Sequence, residues 1–171
     1  MREFHNSVVL MNSRRVERAL KRMAYQIIES VDDQMEINIV GINTRGKALG
    51  IRLANLLGKI SELSITCQQL DMDQAGLSFG FESDTSPDNR YVLMVDDVIF
   101  SGRTMFKALQ VVTRDGIPGE MHCVVLVDRG HRKVPVEAKF VGLSLPTKLQ
   151  EHVSVEIEDQ ENIKEVKLHL N

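Results

Sequence analysis

The sequence predicts an α/β domain built around a mostly parallel sheet, and three patterns support this prediction. Short apolar runs typical of buried strands alternate with segments of helical periodicity. Polar loops follow three of these runs, at residues 43–46, 96–104 and 128–133. In sheets of this kind, ligands bind beyond the carboxyl ends of the strands. We therefore expect the three loops to form one site.

The beginning of the chain predicts a short arm, residues 1–11, followed by a long helix. A strand pattern lies at residues 8–10, and the helix is expected to end near Ser30. Asn12 and Ser13 are residue types that cap helix N-termini. Apolar residues recur at helical spacing and give the helix a buried stripe. The stripe consists of Val16, Leu20, Met23 and Ile27.

The next segment predicts two strands separated by a helix. Residues 37–42 form the first strong strand pattern, and residues 63–67 form the second. Between them, residues 43–46 are expected to be a loop and residues 47–57 a helix. Gly58 is placed to cap the C-terminus of this helix, because glycine adopts the left-handed conformation of such caps without strain.

The middle of the chain contains a long irregular segment followed by a strand. Residues 70–89 contain acids, glycines, serines and a proline without a sustained period, which is typical of a functional or mobile loop. Residues 91–95 form an apolar run, and we expect this strand to end before Asp96. A helix is predicted over residues 105–114, where an aspartate and a glycine follow it.

The C-terminal part predicts further strands. Residues 121–127 form another buried strand pattern, which leads into the third polar loop. Shorter strand patterns occur at residues 139–142, 153–157 and 166–170. Because no repeat, linker or low-complexity tract interrupts the sequence, we expect residues 1–171 to form a single domain.

The composition excludes several classes of protein. The 171 residues are 43% hydrophobic and 26% charged with a net charge of −3, which is ordinary for a globular protein and does not indicate a nucleic-acid binder. Cys67 and Cys123 lie in strand patterns and are expected to be buried reduced thiols. The acids within residues 156–165 are interpreted as a solvated face. With no signal peptide and no apolar run long enough to span a bilayer, we expect a cytoplasmic protein without membrane contact.

Residues 91–104 join a buried strand to a helix through two acids and a turn of small residues. Asp96 and Asp97 can hydrogen-bond the vicinal hydroxyls of a ribose or serve a hydrated magnesium ion, and both alternatives stay open. The hydroxyls of Ser101 and Thr104, with the backbone N–H groups of the turn, can surround a phosphate monoester. A ligand that carries both a sugar and a phosphate satisfies the whole stretch.

Thr44, Arg45 and Gly46 form a second candidate anion site between a strand and a helix. Arginine suits a pyrophosphate, and glycine permits close approach of the backbone. The sequence has no Walker A motif and no G-x-G-x-x-G fingerprint, which disfavours a nucleotide triphosphatase and a dehydrogenase. The two loops together predict a ligand with a phosphate at one end and a pyrophosphate at the other.

Four segments carry a resemblance to a known family. The sequence Val-Leu-Met-Val-Asp-Asp-Val-Ile-Phe-Ser-Gly-Arg-Thr at residues 92–104 resembles the phosphoribosyl-diphosphate signature of type I phosphoribosyltransferases. Residues 39–46, 126–135 and 140–147 resemble the pyrimidine operon attenuator branch of that family. Members of this branch combine mRNA binding with uracil phosphoribosyltransferase activity. The likeness covers about residues 8–160.

The resemblance implies a type I phosphoribosyltransferase fold, in which terminal segments form a small hood over the sheet. It also implies a magnesium-dependent transfer of phosphoribose from 5-phosphoribosyl 1-diphosphate to a nucleobase, with uracil as the expected base and UMP and pyrophosphate as products. A homo-oligomer, dimeric or larger, is implied as well. The alternative function is a nucleotide-responsive RNA-binding attenuator, acting on an mRNA leader, with weak or no catalysis.

The resemblance assigns roles to individual residues. Asp96 and Asp97 are expected to hold the ribose hydroxyls and, together with Arg45, to carry the catalysis. Magnesium is expected to bridge substrate oxygens without a direct protein ligand. The ring of Phe140 is the candidate stacking surface for the base. The substrate-binding residues are expected to be Thr44, Arg45, Gly46, Asp96, Asp97, Val98, Phe100, Ser101, Gly102, Arg103, Thr104, Asp128, Arg129, Phe140 and Val141.

The sequence departs from the family in the irregular segment. Where the family has a Tyr-Arg-Asp-Asp run, this chain reads Asp71-Met72-Asp73-Gln74, so that Met72 replaces an arginine that would close over the pyrophosphate. The loss of such a preorganised charge can slow turnover by about 10²–10³. A third interpretation is therefore a protein that binds the diphosphate sugar without turning it over.

Basic residues in two places motivate the alternative function. Arg15, Arg18 and Arg22 lie on the first predicted helix, and His131 and Arg132 lie in the third polar loop. One interpretation of this basic helix is a solvated surface. The other is a contact surface for the phosphate backbone of RNA.

Overall fold

The computed structural model describes residues 6–74, 78–159 and 161–170, in which strands and helices follow one another along the chain. A short 3₁₀ turn at Pro87–Asn89 precedes the fourth strand. The strands and helices are β1 (Asn6–Asn12), α1 (Ser13–Ile28), β2 (Glu36–Ile42), α2 (Asn43–Ile60), β3 (Ile65–Leu70), β4 (Arg90–Ile99), α3 (Arg103–Val112), β5 (Glu120–Asp128), β6 (Ala138–Ser144), β7 (His152–Ile157) and β8 (Ile163–Leu170).

The central sheet has five strands in the order β3-β2-β4-β5-β6, and each neighbouring pair is parallel. This confirms the predicted α/β fold with a mostly parallel sheet. Because the strands are parallel, the loops after β2, β4 and β5 emerge at the same edge. The three polar segments predicted from the sequence lie at this edge.

A second, three-stranded sheet is built from the two ends of the described chain. Its order is β1-β8-β7, and both pairs are antiparallel. β7 contacts β4 and α2, and β8 contacts α1, so this sheet stands over the carboxyl ends of the central strands. It is the hood that the resemblance implied, and we use that name for β1, β7 and β8 below.

The central sheet is buried on both faces. Alternate residues of β4 point to opposite sides: Tyr91 and Leu93 join the cluster packed with α1 and α2, whereas Val92 and Met94 join the cluster packed with α3. All four side chains are completely buried. A strand covered on both faces needs apolar residues at every position, which explains the uninterrupted apolar run in the sequence.

Helix α1 begins where the sequence predicted and ends earlier than expected. The side chain of Asn12 accepts a hydrogen bond from the backbone N–H of Arg15 at 3.0 Å, which is an N-terminal cap. The last helical residue is Ile28, two residues before the expected end at Ser30. The backbone N–H of Ser30 instead bonds the carbonyl of Ile27, which closes a tighter turn.

Helix α2 differs from its prediction at both ends. It begins at Asn43 rather than at Lys47, because Asn43 adopts a left-handed φ of 54° and turns the chain directly from β2 into the helix. The expected loop at 43–46 is therefore the first helical turn. The helix also continues past Gly58 to Ile60, and the backbone N–H and hydroxyl of Ser61 bond the carbonyl of Leu57 at its end.

The neighbouring strands and α3 also differ in their bounds. β4 continues through Asp96 to Ile99, because these residues stay in parallel register with β5 as far as Asp128. The expected end of the strand at residue 95 was wrong. α3 begins at Arg103 and ends at Val112, two residues before its predicted range at each end.

β3 is shifted toward the C-terminus relative to the predicted range 63–67. It pairs with β2 from Ile65 to Leu70, opposite Ile37 to Ile42. The pairing with the whole of β2 decides the bounds of β3.

The irregular segment after β3 is anchored at its far end. The hydroxyls of Ser83 and Thr85 both donate to the Glu36 carboxylate, and Arg90 donates to the carbonyl of Ser83 at 2.8 Å. Arg90 also stacks on the Phe81 ring. The prediction of an irregular segment is confirmed for its described part apart from the 3₁₀ turn, while residues 75–77 lie outside the described residues. Residues 71–74 directly follow β3 and therefore lie beside the carboxyl edge of the sheet.

Two glycines of α2 allow a matched test of packing. A Cβ on Gly46 would lie 2.4 Å from the carbonyl oxygen of Val95, whereas a Cβ on Gly58 would meet nothing within 4 Å. We expect Gly46→Ala to lower the free energy of unfolding by about 3 kcal/mol, because α2 must move away from β4. Gly58→Ala should raise it by about 0.5–1 kcal/mol through helix propensity. Urea unfolding measures both, and equal effects of the two substitutions would contradict the expectation.

Candidate active site

A cavity of about 950 Å³ separates the carboxyl ends of the central strands from the hood. Its floor comes from the end of β2, the start of α2 and the two acids of β4, and its roof comes from β7 and β8. Carboxylates outnumber cationic side chains in its lining. The lining consists of Ile42, Asn43, Thr44, Arg45, Asp73, Asp96, Asp97, Ser154, Val155, Glu156, Ile157, Glu158 and Lys164.

The two predicted acids project from consecutive positions near the end of β4. The side chain of Asp97 is 15% exposed, and its Oδ2 lies 3.9 Å from Nε of Arg45. The side chain of Arg45 is 58% exposed and reaches into the cavity. The structure therefore brings Asp96, Asp97 and Arg45 together, as two carboxylates beside a guanidinium that can also receive an anion.

Asp96 is the more desolvated of the two acids. Burial raises the pKa of Asp96 well above its ordinary value, and the neighbouring Asp97 carboxylate raises it further. The backbone N–H of Asp97 donates to Asp96 Oδ1 at 2.9 Å and favours the charged form, as does Arg45, but these effects are smaller. The binding of hydroxyl donors or cations to the two acids would therefore reduce the repulsion between their carboxylates.

This repulsion predicts a pH-dependent stability effect. The pKa of Asp96 is higher in the folded chain than in the unfolded chain. Folding therefore becomes less favourable as the pH rises from the unfolded pKa to the folded pKa. We expect Asp96→Asn to raise the melting temperature at pH 7 and to have much less effect below the ordinary pKa of an aspartate, about 3.9. Thermal unfolding at several pH values measures this difference. A stabilisation that is the same at all pH values would contradict the proposed cause.

The turn between β4 and α3 forms a second, smaller cavity of about 110 Å³. Gly102 has a left-handed φ of 78° and lets the chain turn sharply into the helix at Arg103. The first turn of α3 and the hydroxyls of Ser101 and Thr104 line this cavity, and the N–H of Arg103 donates to the Ser101 hydroxyl at 3.4 Å. The lining is Asp96, Val98, Ile99, Phe100, Ser101, Gly102, Arg103, Thr104 and Met105, which includes every residue predicted for the phosphate.

Asp96 lines both cavities, so they meet at the acid pair. Thr44 and Arg45 lie on one side of that pair, and the turn at residues 99–104 lies on the other. Gly46 does not line the cavity, because it packs against β4. The arrangement can hold one molecule with anionic groups at both ends and hydroxyls between them.

Arg129 joins the third polar loop to the segment that leads into the hood. Its guanidinium lies 4.2 Å from the centroid of the Phe100 ring, and its Nε donates to the Thr147 hydroxyl at 2.8 Å. It also donates to the carbonyl of Glu151. Burial lowers the pKa of Arg129 from its ordinary value. The side chain thus fixes Phe100 and the segment at residues 145–151 at one end of the site.

The structure does not bring Phe140 to either cavity. Its side chain is 4% exposed, because β6 already begins at Ala138 and places Phe140 within the strand, packed with His122 in the core. Val141 packs against the cluster on the opposite face of the sheet. The expected stacking surface at Phe140 was therefore wrong, and Phe100 is the aromatic ring that lines the site.

Several hood residues at the site were missed by the sequence interpretation. Glu156, Glu158 and Lys164 line the larger cavity, although the acids of this region had been interpreted as a solvated face. Alternating polar residues in β7 and β8 look like any half-exposed antiparallel strand. No local signal in the sequence shows that the hood faces the sheet edge.

Most of the residues predicted to bind RNA already have partners in the fold. Arg15 donates to the carbonyl of Leu10, Arg22 to the carbonyls of Val141 and Gly142, and the His131 ring contacts the Thr147 carbonyl. Arg18 is exposed and makes no side-chain hydrogen bond within the described ranges. Arg132 donates to the carbonyl of Phe100, so four of the five predicted side chains have partners within the fold: Arg15, Arg22, His131 and Arg132.

Among the side chains that the structure describes, no group of three or more His, Cys, Asp or Glu residues is placed to hold a metal ion. None of the helices in the described ranges is long and apolar enough to cross a membrane.

Comparison with known proteins identifies the family. The Phosphoribosyl transferase domain matches residues 10–161. Bifunctional protein PyrR 2 of Lactiplantibacillus plantarum is 35% identical over 159 residues, with 88% of this chain and 91% of the relative covered. Bifunctional protein PyrR of Trichormus variabilis is 38% identical over 161 residues, with 89% of each chain covered.

A solved structure shares the fold at lower identity. The hypoxanthine-guanine phosphoribosyltransferase of Bacillus anthracis is 17% identical, with a TM-score of 0.69 over 95% of this chain and 97% of that chain. With the cavity, the acid pair and the two anion loops in place, these matches agree with the resemblance found in the sequence. The chain belongs to the phosphoribosyltransferase family, and within it to the group of the bifunctional PyrR proteins.

Proposed function

We propose that this phosphoribosyltransferase transfers phosphoribose from 5-phosphoribosyl 1-diphosphate to uracil and releases pyrophosphate. The observation that carries the proposal is that Asp96 lines both cavities, with Thr44 and Arg45 in the larger one and the turn at residues 99–104 in the smaller one. A phosphoribosyl diphosphate has the same order of groups, with hydroxyls between a monoester phosphate and a diphosphate. Uracil is the base that the sequence resemblance implies.

Different side chains would bind different groups of the substrate. Ser101, Gly102 and Thr104 would bind the 5′-phosphate, and Asp96 and Asp97 would accept hydrogen bonds from the ribose hydroxyls. Displacement at the anomeric carbon develops positive charge on the sugar, and the two carboxylates stabilise that charge. Thr44 and Arg45 would hold the diphosphate. The protein thus contributes positioning and electrostatic stabilisation rather than covalent catalysis.

The residues of the cavity fit a magnesium ion that is bound chiefly through the substrate. Asp73, Asp96 and Asp97 line the cavity, yet no group of three candidate ligands converges in the described part of the chain. Magnesium retains several waters and takes substrate phosphates as ligands. Asp96 and Asp97 would therefore reach it through water or sugar oxygens. When bound, the ion supplies positive charge that offsets the charge of the leaving diphosphate.

A panel of bases tests this function. The purified chain is incubated with 5-phosphoribosyl 1-diphosphate, magnesium and one base at a time, and pyrophosphate release is measured. We expect release with uracil and none with hypoxanthine, guanine or adenine. Release with a purine would overturn the assigned base. Binding of the diphosphate sugar without release for any base would support the interpretation as a binding protein without turnover.

We propose RNA binding as the second candidate function because α1 presents an exposed basic stripe. Arg14, Arg18 and Lys21 are exposed at helical spacing, and Tyr25 continues the stripe with 48% exposure. Basic residues contact nucleic-acid phosphates, and an exposed ring can stack on an unpaired base. Filter binding to the leader of its own operon should show retention that depends on uridine nucleotides and falls steeply with salt. Retention that does not depend on salt would refute this mode of binding. The homo-oligomer implied by the resemblance stays a prediction.

A further inference from the structure

Carbonyl groups at the turn that follows β4 accept hydrogen bonds from residues outside the turn. The Ile99 carbonyl accepts a hydrogen bond from the backbone N–H of Arg129 at 3.0 Å, and the Ser101 carbonyl accepts one from the backbone N–H of Lys133 at 2.9 Å. The Gly102 carbonyl accepts the first helical bond of α3, from Phe106. The two contacts from Arg129 and Lys133 hold the turn against the loop between β5 and β6.

The carbonyl of Phe100 completes this set, and a side chain bonds it. Nη1 of Arg132 donates to this oxygen at 2.9 Å and to the Gly130 carbonyl at 3.2 Å. The remaining nitrogens are also used, because Nε donates to the Val136 carbonyl at 2.9 Å and Nη2 to Asp128 Oδ2 at 2.7 Å. Arg132 thus connects the turn, the acid at the end of β5 and both sides of its own loop.

Arg132 lies behind the turn rather than in the phosphate cavity. A Cβ on Gly102 would meet Cδ of Arg132 at 3.3 Å and the side chains of Val134 and Val136 nearby. Arg132 does not line the cavity formed by residues 96–105, and its side chain is 23% exposed. The guanidinium can therefore act on a bound phosphate only through the turn.

The geometry of the peptide unit connects these carbonyl bonds to phosphate binding. In a trans peptide the C=O and the following N–H point in opposite directions within one plane. A donor that fixes the Phe100 carbonyl behind the turn therefore directs the N–H of Ser101 toward the front. The bonds at the carbonyls of Ile99 and Ser101 do the same for the N–H groups of Phe100 and Gly102. Such preorganised N–H groups bind an anion without the free-energy cost of reorienting the backbone.

We propose that Arg132 is a positioning residue that holds the phosphate-binding turn in its anion-receptive conformation. This inference rests on the proposed function, since it assigns the 5′-phosphate to this turn. The Asp128 carboxylate neutralises Arg132 and holds its planar group in register with the Phe100 carbonyl. Lysine cannot reproduce this fork of donors, so an arginine is required at the position.

The test compares two ligands that occupy opposite ends of the site. Ribose 5-phosphate probes the turn, and magnesium pyrophosphate probes the loop at Thr44 and Arg45. Calorimetry on the full chain is done with the wild type, Arg132→Gln and Arg132→Lys. Lys107→Ala is the control, because it removes one exposed positive charge from α3 near the turn without touching the turn. Thermal unfolding of each variant checks that it is folded.

We expect Arg132→Gln to weaken the binding of ribose 5-phosphate by about 10- to 100-fold. The affinity for magnesium pyrophosphate should be unchanged. In the transfer reaction, KM for the diphosphate sugar should rise with a smaller change in kcat, because the phosphate does not react. Arg132→Lys should also weaken the binding of ribose 5-phosphate, to a smaller extent. If Arg132→Gln does not fold, the comparison of Arg132→Lys with the wild type tests the proposal.

Two results would overturn the proposal. Equal weakening of both ligands in folded Arg132 variants would show a general structural role, and unchanged binding of both would show that the Phe100 contact is irrelevant. A similar loss in Lys107→Ala would attribute the effect to net charge. If the wild type itself does not bind ribose 5-phosphate, the proposed function fails before any variant is compared.

Discussion

Asp97→Asn should lower kcat for phosphoribosyl transfer by about 10²–10³. The substitution keeps the shape of the side chain and removes the negative charge beside the carbon at which positive charge develops. Asp97 is largely buried and is oriented by Arg45 at 3.9 Å, so a water molecule cannot replace it freely. Steady-state kinetics with uracil and the diphosphate sugar measure the effect.

A second measurement on the same variant separates chemistry from binding. Removing the Asp97 charge also removes a repulsion from the anion site at Arg45, so the affinity for magnesium pyrophosphate should be unchanged or higher. Asp115→Asn is the matched control, because Asp115 is an exposed acid beyond α3 that does not line the cavity over the acid pair. A full loss of pyrophosphate binding in Asp97→Asn, or wild-type kcat in that variant, would contradict the role given to Asp97.

Met72→Arg should raise kcat by about 10²-fold, because it restores a cation at the leaving group. The backbone N–H of Met72 already donates to the Asn43 side chain at 2.8 Å, which tethers this residue to the start of α2 beside Thr44 and Arg45. The next residue, Asp73, lines the larger cavity. The thioether of Met72 is only partly buried against the core cluster on the α3 side, so a longer arginine can extend its charged group toward the cavity that Asp73 lines.

The charge and its geometry can be tested separately at the same position. Met72→Gln has a similar length without charge and should give no gain. Met72→Lys restores the charge without the bidentate fork and should give a smaller gain than arginine. The three variants are compared by kcat for pyrophosphate release under saturating substrate. A kcat for Met72→Arg equal to that of the wild type would show that residue 72 does not approach the leaving group.

The local elements were predictable where one physical effect dominated. Residues 91–95 of β4 are apolar because both faces of the sheet are covered there. The cap of α1 at Asn12 follows from the need to bond free N–H groups. The end of β4 was not predictable, because Asp96 and Asp97 remain in the strand through pairing with β5. Backbone pairing with a distant strand leaves no trace in the sequence of the strand itself.

The sequence by itself determined the alternation of strands and helices, the acid pair and the two polar segments at residues 43–46 and 96–104. These features depend on neighbouring residues, so their patterns are local. Only the tertiary structure decided that the hood places Glu156 and Lys164 over the acids, that Phe140 is buried in the core, and that Arg132 bonds the Phe100 carbonyl. Each of these depends on contacts between residues far apart in the chain, which periodicity and residue type do not encode.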